Sequence, residues 1–565
     1  MYKSISYNGC KIPKTEYFGY EFLGKKLSPM AERYIYRWAN TDRQYTYDNK
    51  YSFTNFINGM KEIDSSVDIK NNMDEFEKLC SKMKSDCERR KEEKKIYNKE
   101  HKEEIEKIKS SEKEEYGYAI IDGEKVQLAG YMVEEMNALI VRGGDKRMFC
   151  FKYPTTEKDI TINVIGDEEC KKKLIEKGFN VVSKKDVDWI VSYKIRLSGG
   201  FPPITKSIRP SATFKGQIKN TEHKHEKALN LLRHFTEFDE KIKEELNSKF
   251  KRNREIALAT WMVKTYAIRI GNEREEFQAD TVGVTTLKVK NIKVFEKNDN
   301  YILKLDFLGK DSVPYSKTDK IPRDIYNHFV NQIKDKKPND ELFSISSNDV
   351  SKFIKSIYKD ASPKTFRSAI GSAVLCESIN KAKIKSNMKD FEKKQIFVKA
   401  NADVALYLNH QKGTTAKGEE SFKKNMEKMS DKISTLKKNL SLEEENFKNK
   451  KKYLSVKIKH CKEKGLKASE EKYRTQLEKA KSKVERIKES LERANVNKDI
   501  KSEGKNIALG TSLNSYCSPK VVYSICKDMN LDPSKIYTKT QITKFESFSD
   551  VSSKYWKNYL GFIEN

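Results

Sequence analysis

Two stretches of the chain, SFKKNMEKMSDKISTLKKNL (421–440) and YRTQLEKAKSKVERIKESL (473–491), carry the clearest structural pattern in the sequence. Apolar residues recur in each at alternating steps of four and three, which is the heptad spacing of a coiled coil. They are Phe422, Met426, Met429, Ile433, Leu436 and Leu440, and then Tyr473, Leu477, Ala480, Val484, Ile487 and Leu491. With a break at Lys464-Gly465 between the two stretches, the pattern predicts an antiparallel coiled-coil hairpin.

Basic residues are in excess along the whole chain. The 565 residues include 113 Lys and Arg against 83 Asp and Glu, a net charge of +30. Residues 421–500 hold 24 basic and 13 acidic side chains, so most of the excess lies outside the predicted hairpin. Such a surplus indicates a polyanionic partner such as nucleic acid. No apolar run approaches the roughly 18–20 residues of a membrane-spanning helix, so we expect no membrane insertion.

The sequence lacks the common patterns for metal and nucleotide chemistry. Nine scattered cysteines without a Cys-x-x-Cys pair are typical of reduced thiols in an intracellular protein. The seven histidines do not suggest a zinc site, since the closely spaced His223 and His225 have no nearby cysteine partner. There is no GxxxxGK[ST] loop and no GxGxxG after a strand. The class of protein that remains after these exclusions is a basic protein that handles DNA or RNA without zinc or nucleotide chemistry.

Local patterns predict the remaining elements. The charged stretch 73–115 indicates exposed helices, and Asp122-Gly123 indicates a hairpin turn. A helical block should run from about Glu222 and end at the cap Gly271-Asn272. Three strands follow, TTLKVKN (285–291), IKVFEK (292–297) and NYILKLDF (300–307), and then a turn at 308–311.

Helices are predicted for the last third of the chain. Ser362-Pro363 should start one, because Ser is a favoured N-cap and Pro a favoured first residue. Arg367 would lie in its first turn. Another helix should run from about Glu392 to His410, and residues 505–565 should form a small helical domain.

Spacing alone singles out no nucleophile among the 28 tyrosines. Nine short motifs, in order along the chain, nevertheless resemble the eukaryotic type IB DNA topoisomerases. They are GKKLSPMAE (24–32), EYGYAIIDGEK (115–125), AIRIGNEREE (267–276), ADTVG (279–283), DFLGKDS (306–312), PKTFRSAIGS (363–372), ALYLNHQKG (405–413), NIALGTSLNSY (506–516) and SKIYTKTQITKF (534–545).

The resemblance implies an α+β multidomain DNA clamp. Its four parts would be a mixed α/β DNA-binding cap (1–217), a mostly α catalytic core with a small antiparallel sheet (218–420), an antiparallel coiled-coil linker (421–503) and a small α C-terminal domain (504–565). We expect the family's long N-terminal extension to be lacking. Directly before the expected nucleophile this chain has Ser515, where the family commonly has Asn.

The resemblance also implies a catalytic pentad, namely Arg269, Lys310, Arg367, His410 and Tyr516. Tyr516 would attack a DNA phosphodiester and form a 3′-phosphotyrosyl bond. The two arginines would stabilise charge on the nonbridging oxygens, and His410 would donate a further hydrogen bond. Lys310 would protonate the leaving 5′ oxygen.

Further expectations concern DNA contacts and partners. Candidate DNA-binding residues near the pentad are Gly271, Asn272, Glu273, Arg274, Thr281, Asp311, Ser362, Pro363 and Lys364. The partner would be double-stranded DNA, with no membrane, and the enzyme a monomer. We expect no requirement for ATP or a metal ion, although a divalent cation could stimulate. The location would be the nucleus, or a virion or viral replication site if a large DNA virus encodes the chain.

Two other classes of protein are alternative interpretations of the same sequence features. A tyrosine recombinase has a similar pentad, but its second arginine usually lies in a His-x-x-Arg motif, whereas this chain reads KTFR at 364–367. Recombinases also lack a coiled-coil hairpin between the His and the Tyr. A non-catalytic architectural DNA-binding protein would not need an intact pentad.

Overall fold

The heptad stretches form two long helices in a computed structural model of the protein, which describes residues 2–141, 144–271, 282–382, 384–385, 387–411 and 416–563. The chain is a mixture of helices and several small sheets. It forms two compact units. The first contains the residues up to Thr221 together with Lys310–Ser312, and the second contains the rest of the described chain from Glu222 onward. The four-part domain division stays a prediction.

The first unit builds two apolar cores on short strands and helices. One core packs around Ile5, Ile160 and Val191, and the other around Trp38 and Phe56. The strands are β1 (Ile5–Ser6), β2 (Glu21–Phe22), β3 (Lys25–Lys26), β4 (Tyr118–Ile121), β5 (Glu124–Gln127), β6 (Asn137–Ala138), β7 (Phe151–Lys152), β8 (Ile160–Asn163), β9 (Asn180–Val182), β10 (Val191–Ile195) and β11 (Ile204–Ile208). The helices are α1 (Pro29–Ala39), α2 (Ser52–Ile63), α3 (Met73–Glu100), α4 (Lys102–Tyr116) and α5 (Glu168–Glu176).

Two local predictions for this unit are confirmed. The charged stretch forms α3 and α4, and α4 has no buried side chain. The Asp122-Gly123 hairpin joins β4 to β5 in antiparallel register. Both turn residues have positive φ, 52° and 83°, as the tight primed turns of hairpins require. β1, β4 and β5 form one sheet, and β11, β10, β8 and β9 form another in that order.

The second unit consists mainly of helices and contains one three-stranded sheet. Helix α6 (Lys215–Arg233) crosses the unit boundary, and α7 (Phe235–Leu246) and α8 (Lys251–Tyr266) follow. The antiparallel sheet consists of β12 (Ile292–Lys297), β13 (Asn300–Leu308) and β14 (Pro314–Lys320). The later helices are α9 (Arg323–Ile333), α10 (Ser347–Ile357), α11 (Pro363–Lys381), α12 (Asp390–Tyr407), α13 (Ala416–Glu463), α14 (Lys467–Glu503), α15 (Leu509–Ser515), α16 (Pro519–Asp528) and α17 (Lys539–Phe545).

The coiled-coil prediction is confirmed. Helices α13 and α14 pair as a hairpin, and the turn between them includes Gly465 at a φ of 65°. All twelve heptad positions are buried or half-buried, whereas most of their neighbours are exposed. Two ion pairs also connect the two helices. Lys483 lies 2.8 Å from Glu443, and Lys488 lies 3.1 Å from Glu444.

Four sequence expectations for the second unit are wrong. Helix α8 ends at Tyr266, before the predicted cap, because Ala267 adopts the left-handed conformation with a φ of 50°. The stretch 285–291 is not a strand, since short 3₁₀ turns occupy most of it. Helix α12 ends at Tyr407, so His410 lies beyond it. Arg367 is the fifth residue of α11, just beyond the first turn.

Candidate active site

Tyr516 is held at the end of α15 by main-chain bonds. Its N–H donates to the carbonyl of Ser512 at 2.9 Å, and its carbonyl accepts from the hydroxyl of Ser372 at 3.3 Å. The same Ser372 oxygen accepts from the N–H of Ser518 at 3.0 Å. Gly371 lies alongside, where an added Cβ would be 3.2 Å from the Cβ of Tyr516. The side chain of Tyr516 is therefore buried, 6% exposed, on a fixed backbone.

Arg269 approaches the tyrosine from the segment that follows α8. Its main chain is extended, with the carbonyl of Arg269 accepting from Val284 N at 2.9 Å and that of Ile270 from Thr285 N at 2.8 Å. Close approach of the two segments requires glycine, because a Cβ on Gly283 would lie 2.3 Å from the nitrogen of Gly271. From this support, Nη2 of Arg269 donates to the hydroxyl of Tyr516 at 3.3 Å.

Arg367 is buried at the centre of the cluster. Nη1 donates to the carbonyl of Ala267 at 2.5 Å, and Nη2 donates to that of Leu408 at 2.9 Å. The guanidinium carbon lies 5.0 Å from the centroid of the Tyr516 ring. Arg367 therefore joins the ends of α8 and α12 and also places a positive charge against the tyrosine. Burial lowers the pKa of Arg367, but an arginine so far above neutrality stays charged.

His410 lies three residues beyond α12, after Asn409 in a left-handed conformation with a φ of 54°. Its N–H donates to the carbonyl of Ala405 at 2.7 Å, and its carbonyl accepts from Ala508 N at 2.8 Å, just before α15. The imidazole centroid lies 4.8 Å from that of Tyr516. Nε2 of His410 lies 3.1 Å from Nη2 of Arg367. Since the guanidinium can only donate, Nε2 accepts, and a neutral ring then carries its hydrogen on Nδ1.

The positive charges set the ionisation of the cluster. Burial, together with the charges of Arg367 and Arg269, lowers the pKa of His410 to about 3. For Tyr516, burial raises the pKa, but the charges and hydrogen bonds of Arg367 and Arg269 outweigh burial and hold it below the ordinary value. A tyrosine with a lowered pKa, facing two guanidinium groups, can act as a nucleophile toward an anion.

The structure thus brings four of the five predicted catalytic residues together, namely Arg269, Arg367, His410 and Tyr516. The fifth, Lys310, follows β13 in the turn Lys310–Ser312, and its side chain is exposed. The turn is closed by Gly309 N, which donates to the carbonyl of Val313 at 2.8 Å. The chemical role of each of the five residues stays a prediction.

Among the candidate DNA contacts, Ser362 and Pro363 begin α11, as expected. The hydroxyl of Ser362 accepts from Thr365 N at 3.3 Å, and Lys364 is exposed in the same first turn. Gly271 lies beside Gly283 with a φ of 82°. Asn272, Glu273, Arg274 and Thr281 lie outside the described residues, as does the side chain of Asp311.

Lys224 on α6 is a neighbour of Tyr516, and the sequence did not single out this lysine. Its Nζ donates to the main-chain carbonyl of Ser515 and lies 5.8 Å from the ring centroid of Tyr516. Burial, together with the charge of Lys364, lowers its pKa to about 8. The pattern of residues along α6 gives one indication of where Lys224 lies. Buried residues at 225, 228, 229 and 232 define the inner face of α6 and put Lys224 at its edge.

Two negative findings hold for the described part of the chain. None of its helices is both long and apolar enough to cross a membrane. Over the same residues, no group of three or more His, Cys, Asp or Glu side chains could hold a metal ion.

Comparison with known proteins assigns the class. Residues 7–204 match the DNA binding fragment of eukaryotic DNA topoisomerase I, residues 211–447 match its catalytic core, and residues 488–557 match a C-terminal topoisomerase domain. The chain therefore belongs to the eukaryotic DNA topoisomerase I family. The expectation of a type IB DNA topoisomerase is confirmed at the level of family and enzyme class.

Individual relatives agree with this assignment. DNA topoisomerase 1 of Caenorhabditis elegans is 28% identical over 97% of this chain and 66% of its own length. Human DNA topoisomerase 1 is also 28% identical, over 96% of this chain and 69% of its own length. A human relative named DNA topoisomerase I, mitochondrial, is 24% identical over 80% of this chain and 72% of its own length. The chain thus spans about two thirds of the length of the first two relatives.

Proposed function

We propose that this chain relaxes supercoiled DNA of either sign by cutting and resealing one strand, with Tyr516 as the nucleophile. The observation that carries the proposal is the contact of the Tyr516 hydroxyl with Arg269, in a cluster that also includes Arg367 and His410. Two guanidinium groups around a buried tyrosine are suited to a phosphodiester, whose nonbridging oxygens gain negative charge during displacement.

The reaction balances without a further reactant. Oη of Tyr516 forms a bond to phosphorus while the bond from phosphorus to the 5′ oxygen breaks. The phenol loses its proton to solvent, and Lys310 gives a proton to the leaving 5′ oxygen. The 3′-phosphotyrosyl bond keeps the energy of the phosphodiester, so the reverse attack by the 5′ hydroxyl reseals the strand without ATP. Between these steps, the downstream duplex rotates about the intact strand.

His410 contributes as a neutral hydrogen-bond donor in this proposal. Because its pKa is lowered, the imidazole of His410 is neutral at neutral pH in the protein without DNA. Since Nε2 accepts from Arg367 in the structure, donation from Nε2 to a phosphate requires the hydrogen to move from Nδ1 to Nε2. Arrival of a phosphate oxygen supplies the driving force, because it offers Arg367 an anionic acceptor in place of the imidazole.

The remaining expectations follow from the same proposal. Double-stranded DNA would be held in a multidomain clamp by a monomer, mainly through its phosphates. Gly271, Ser362, Pro363 and Lys364 would contact it close to the cleaved bond, with Asn272, Glu273, Arg274, Thr281 and Asp311. Neither ATP nor a metal ion would be required, although a divalent cation could stimulate. The site of action would be the nucleus or a viral replication site.

Relaxation of supercoiled plasmid in EDTA, without ATP, tests the proposal. The expected result is a ladder of topoisomers that ends in relaxed DNA for plasmids of either supercoil sign. An architectural protein would leave the linking number unchanged after deproteinisation. A recombinase would act only on plasmids that carry its own paired sites. Either of these two results would contradict the proposal.

A further inference from the structure

A lysine on β14 occupies a place where an apolar residue is usual. Side chains alternate along a strand, and on β14 Tyr315, Lys317 and Asp319 share the more protected face. Lysine is seldom turned inward unless its charge is paired. Nζ of Lys317 lies 3.6 Å from Oδ2 of Asp319, and the side chain is only 33% exposed. Burial lowers the pKa of Lys317.

Two tyrosine rings enclose this ammonium group. Nζ of Lys317 lies 4.6 Å from the ring centroid of Tyr266 and 4.8 Å from that of Tyr407. Both distances are within the range of a cation–π interaction, which strengthens when the cation is partly desolvated. One charge on β14 therefore contacts two separate helices at once.

The positions of these tyrosines connect the contact to the active site. Tyr266 is the last residue of α8, three residues before Arg269. Tyr407 is the last residue of α12, three residues before His410. Lys317 lies seven residues after Lys310, on the strand that leaves the turn containing Lys310.

The ends of α8 and α12 are held together without Lys317. The hydroxyl of Tyr407 donates to the carbonyl of Thr265 at 2.6 Å, and Arg367 bridges the carbonyls of Ala267 and Leu408. The β14 strand has a weaker link to this junction, in which Nδ2 of Asn409 donates to the carbonyl of Pro314 at 3.1 Å. The end of β13 is also linked to the segment that pairs with Arg269, since Val282 N donates to the carbonyl of Leu308 at 2.7 Å. Loss of the Lys317 charge should therefore leave the helix junction intact and loosen, without detaching, the β13–β14 hairpin.

We propose that Lys317 is a positioning residue that holds the β13–β14 hairpin at the ends of α8 and α12, and thereby restrains the two strand ends between which the chain segment with Lys310 lies. The inference rests on the proposed function, in which Lys310 is the general acid. It assigns to Lys317 an effect on protonation of the leaving group and none on nucleophilic attack by Tyr516.

Single-turnover cleavage of two oligonucleotide duplexes tests this assignment. One has an ordinary scissile phosphodiester, and the other has sulfur at the 5′ bridging position, from which a thiolate leaves without needing a proton. Lys317→Met removes the charge and keeps a long side chain. It should slow cleavage of the ordinary duplex by about tenfold, a fraction of the full effect of a general acid, and leave the sulfur duplex within about twofold of wild type.

Two further variants serve as controls. Lys317→Arg keeps a cation that can stack on both rings and should restore cleavage of the ordinary duplex. Lys320→Met removes the same charge from an exposed position of the same strand, so it should cleave both duplexes at nearly the wild-type rates. If the Met variant fails to fold, as judged by its thermal melt, the same pair of rates for Lys317→Gln decides the question.

The results separate this inference from the function on which it rests. Equal slowing of the two duplexes by Lys317→Met, or no slowing of either, would overturn the positioning role. Failure of the Arg variant to recover activity would overturn the cation–π basis of that role. Failure of the wild-type protein to cleave the sulfur duplex would instead contradict the proposed function.

Discussion

The hydroxyl of Tyr516 lies 3.3 Å from Nη2 of Arg269, although the two residues are 247 positions apart in the chain. The contact exists because α8 stops at Tyr266 and the chain continues in an extended segment toward the tyrosine. Through this contact the charged guanidinium of Arg269 donates a hydrogen bond to the Tyr516 oxygen, which is the nucleophile in the proposed reaction.

Arg269→Ala should slow single-turnover cleavage by about 10²–10³-fold, the typical effect of removing one preorganised donor from a transition state. The pKa of Tyr516 should also rise, because the Arg269 charge is one of the groups that lower it. Cleavage rates measured against pH report both effects. Arg252→Ala, which removes an exposed arginine of α8 paired with Asp349, should cleave normally. Wild-type cleavage by Arg269→Ala would exclude the assigned role.

Gly371→Ala should displace the nucleophile. The new Cβ would lie 3.2 Å from both the Cβ of Tyr516 and Cδ1 of Leu408, so one of them must move. We expect cleavage to fall about tenfold and unfolding free energy to fall by about 1–3 kcal/mol. Gly510→Ala provides the matched control, since its Cβ meets nothing within 4 Å. It should be neutral, or more stable by roughly 0.5–1 kcal/mol. Equal cleavage rates and equal unfolding free energies for the two variants would contradict the predicted crowding between residue 371 and Tyr516.

The stability of the protein should depend on the neutral state of His410. Its pKa is about 3 in the folded protein, against 6.5 as the ordinary value. Between these values the unfolded chain binds more protons, so the free energy of unfolding falls as the pH drops below about 6.5. At pH 5 the loss due to His410 approaches about 2 kcal/mol.

Thermal melts of variants at pH 7 and pH 5 test this dependence. His410→Gln should show a smaller drop in Tm than wild type. Buried His225, whose pKa is also lowered by burial and by Lys224, should behave in the same way. His223→Gln makes the same change at an exposed position two residues earlier and should keep the wild-type drop. A drop that is unchanged in His410→Gln would show that its pKa is not depressed.

The coiled-coil hairpin should affect DNA binding more than chemistry. A protein lacking residues 425–498, with a short flexible loop in their place, loses most of the excess positive charge of the hairpin and none of the four clustered residues. We expect weaker binding, a shallower dependence of affinity on salt and retained cleavage. Binding titrations at several salt concentrations, with single-turnover cleavage alongside, measure these effects. Loss of cleavage by a folded deletion protein would mean that the hairpin positions Tyr516.

Sequence patterns predicted those elements whose structure is fixed by local contacts. The hairpin of α13 and α14 was predictable because its seam is set by a regular repeat, and α11 because Ser362 and Pro363 are strong start signals. The end of α8 was not predictable from local patterns. Gly271-Asn272 is a good local cap, but tertiary contacts stop the helix earlier. The carbonyl of Ala267 turns to Arg367, and residues 269 and 270 pair with 284 and 285.

Some residues of the candidate site were likewise predictable from the sequence, and others were not. The resemblance named Arg269, Arg367, His410 and Tyr516, and the folded chain brings these residues into one cluster. Spacing could not have shown this, because segments more than a hundred residues apart meet there. Among 113 basic residues, the sequence does not distinguish Lys317, and it distinguishes Lys224 only by its place at the edge of the inner face of α6. Their contacts, with the Ser515 carbonyl and with two tyrosine rings, exist only in the tertiary structure.

The central claim is that Tyr516 forms the covalent bond to DNA. The most direct test uses a duplex whose cut strand is short on the 3′ side of the cleavage site, so that the fragment with the new 5′ hydroxyl dissociates and the protein stays trapped. The modified residue is then identified by mass spectrometry. The account predicts a 3′-phosphate attached to Tyr516, and neither adduct nor relaxation with Tyr516→Phe, whose affinity for duplex DNA should remain close to wild type. An adduct on another residue, or relaxation by Tyr516→Phe, would contradict the account.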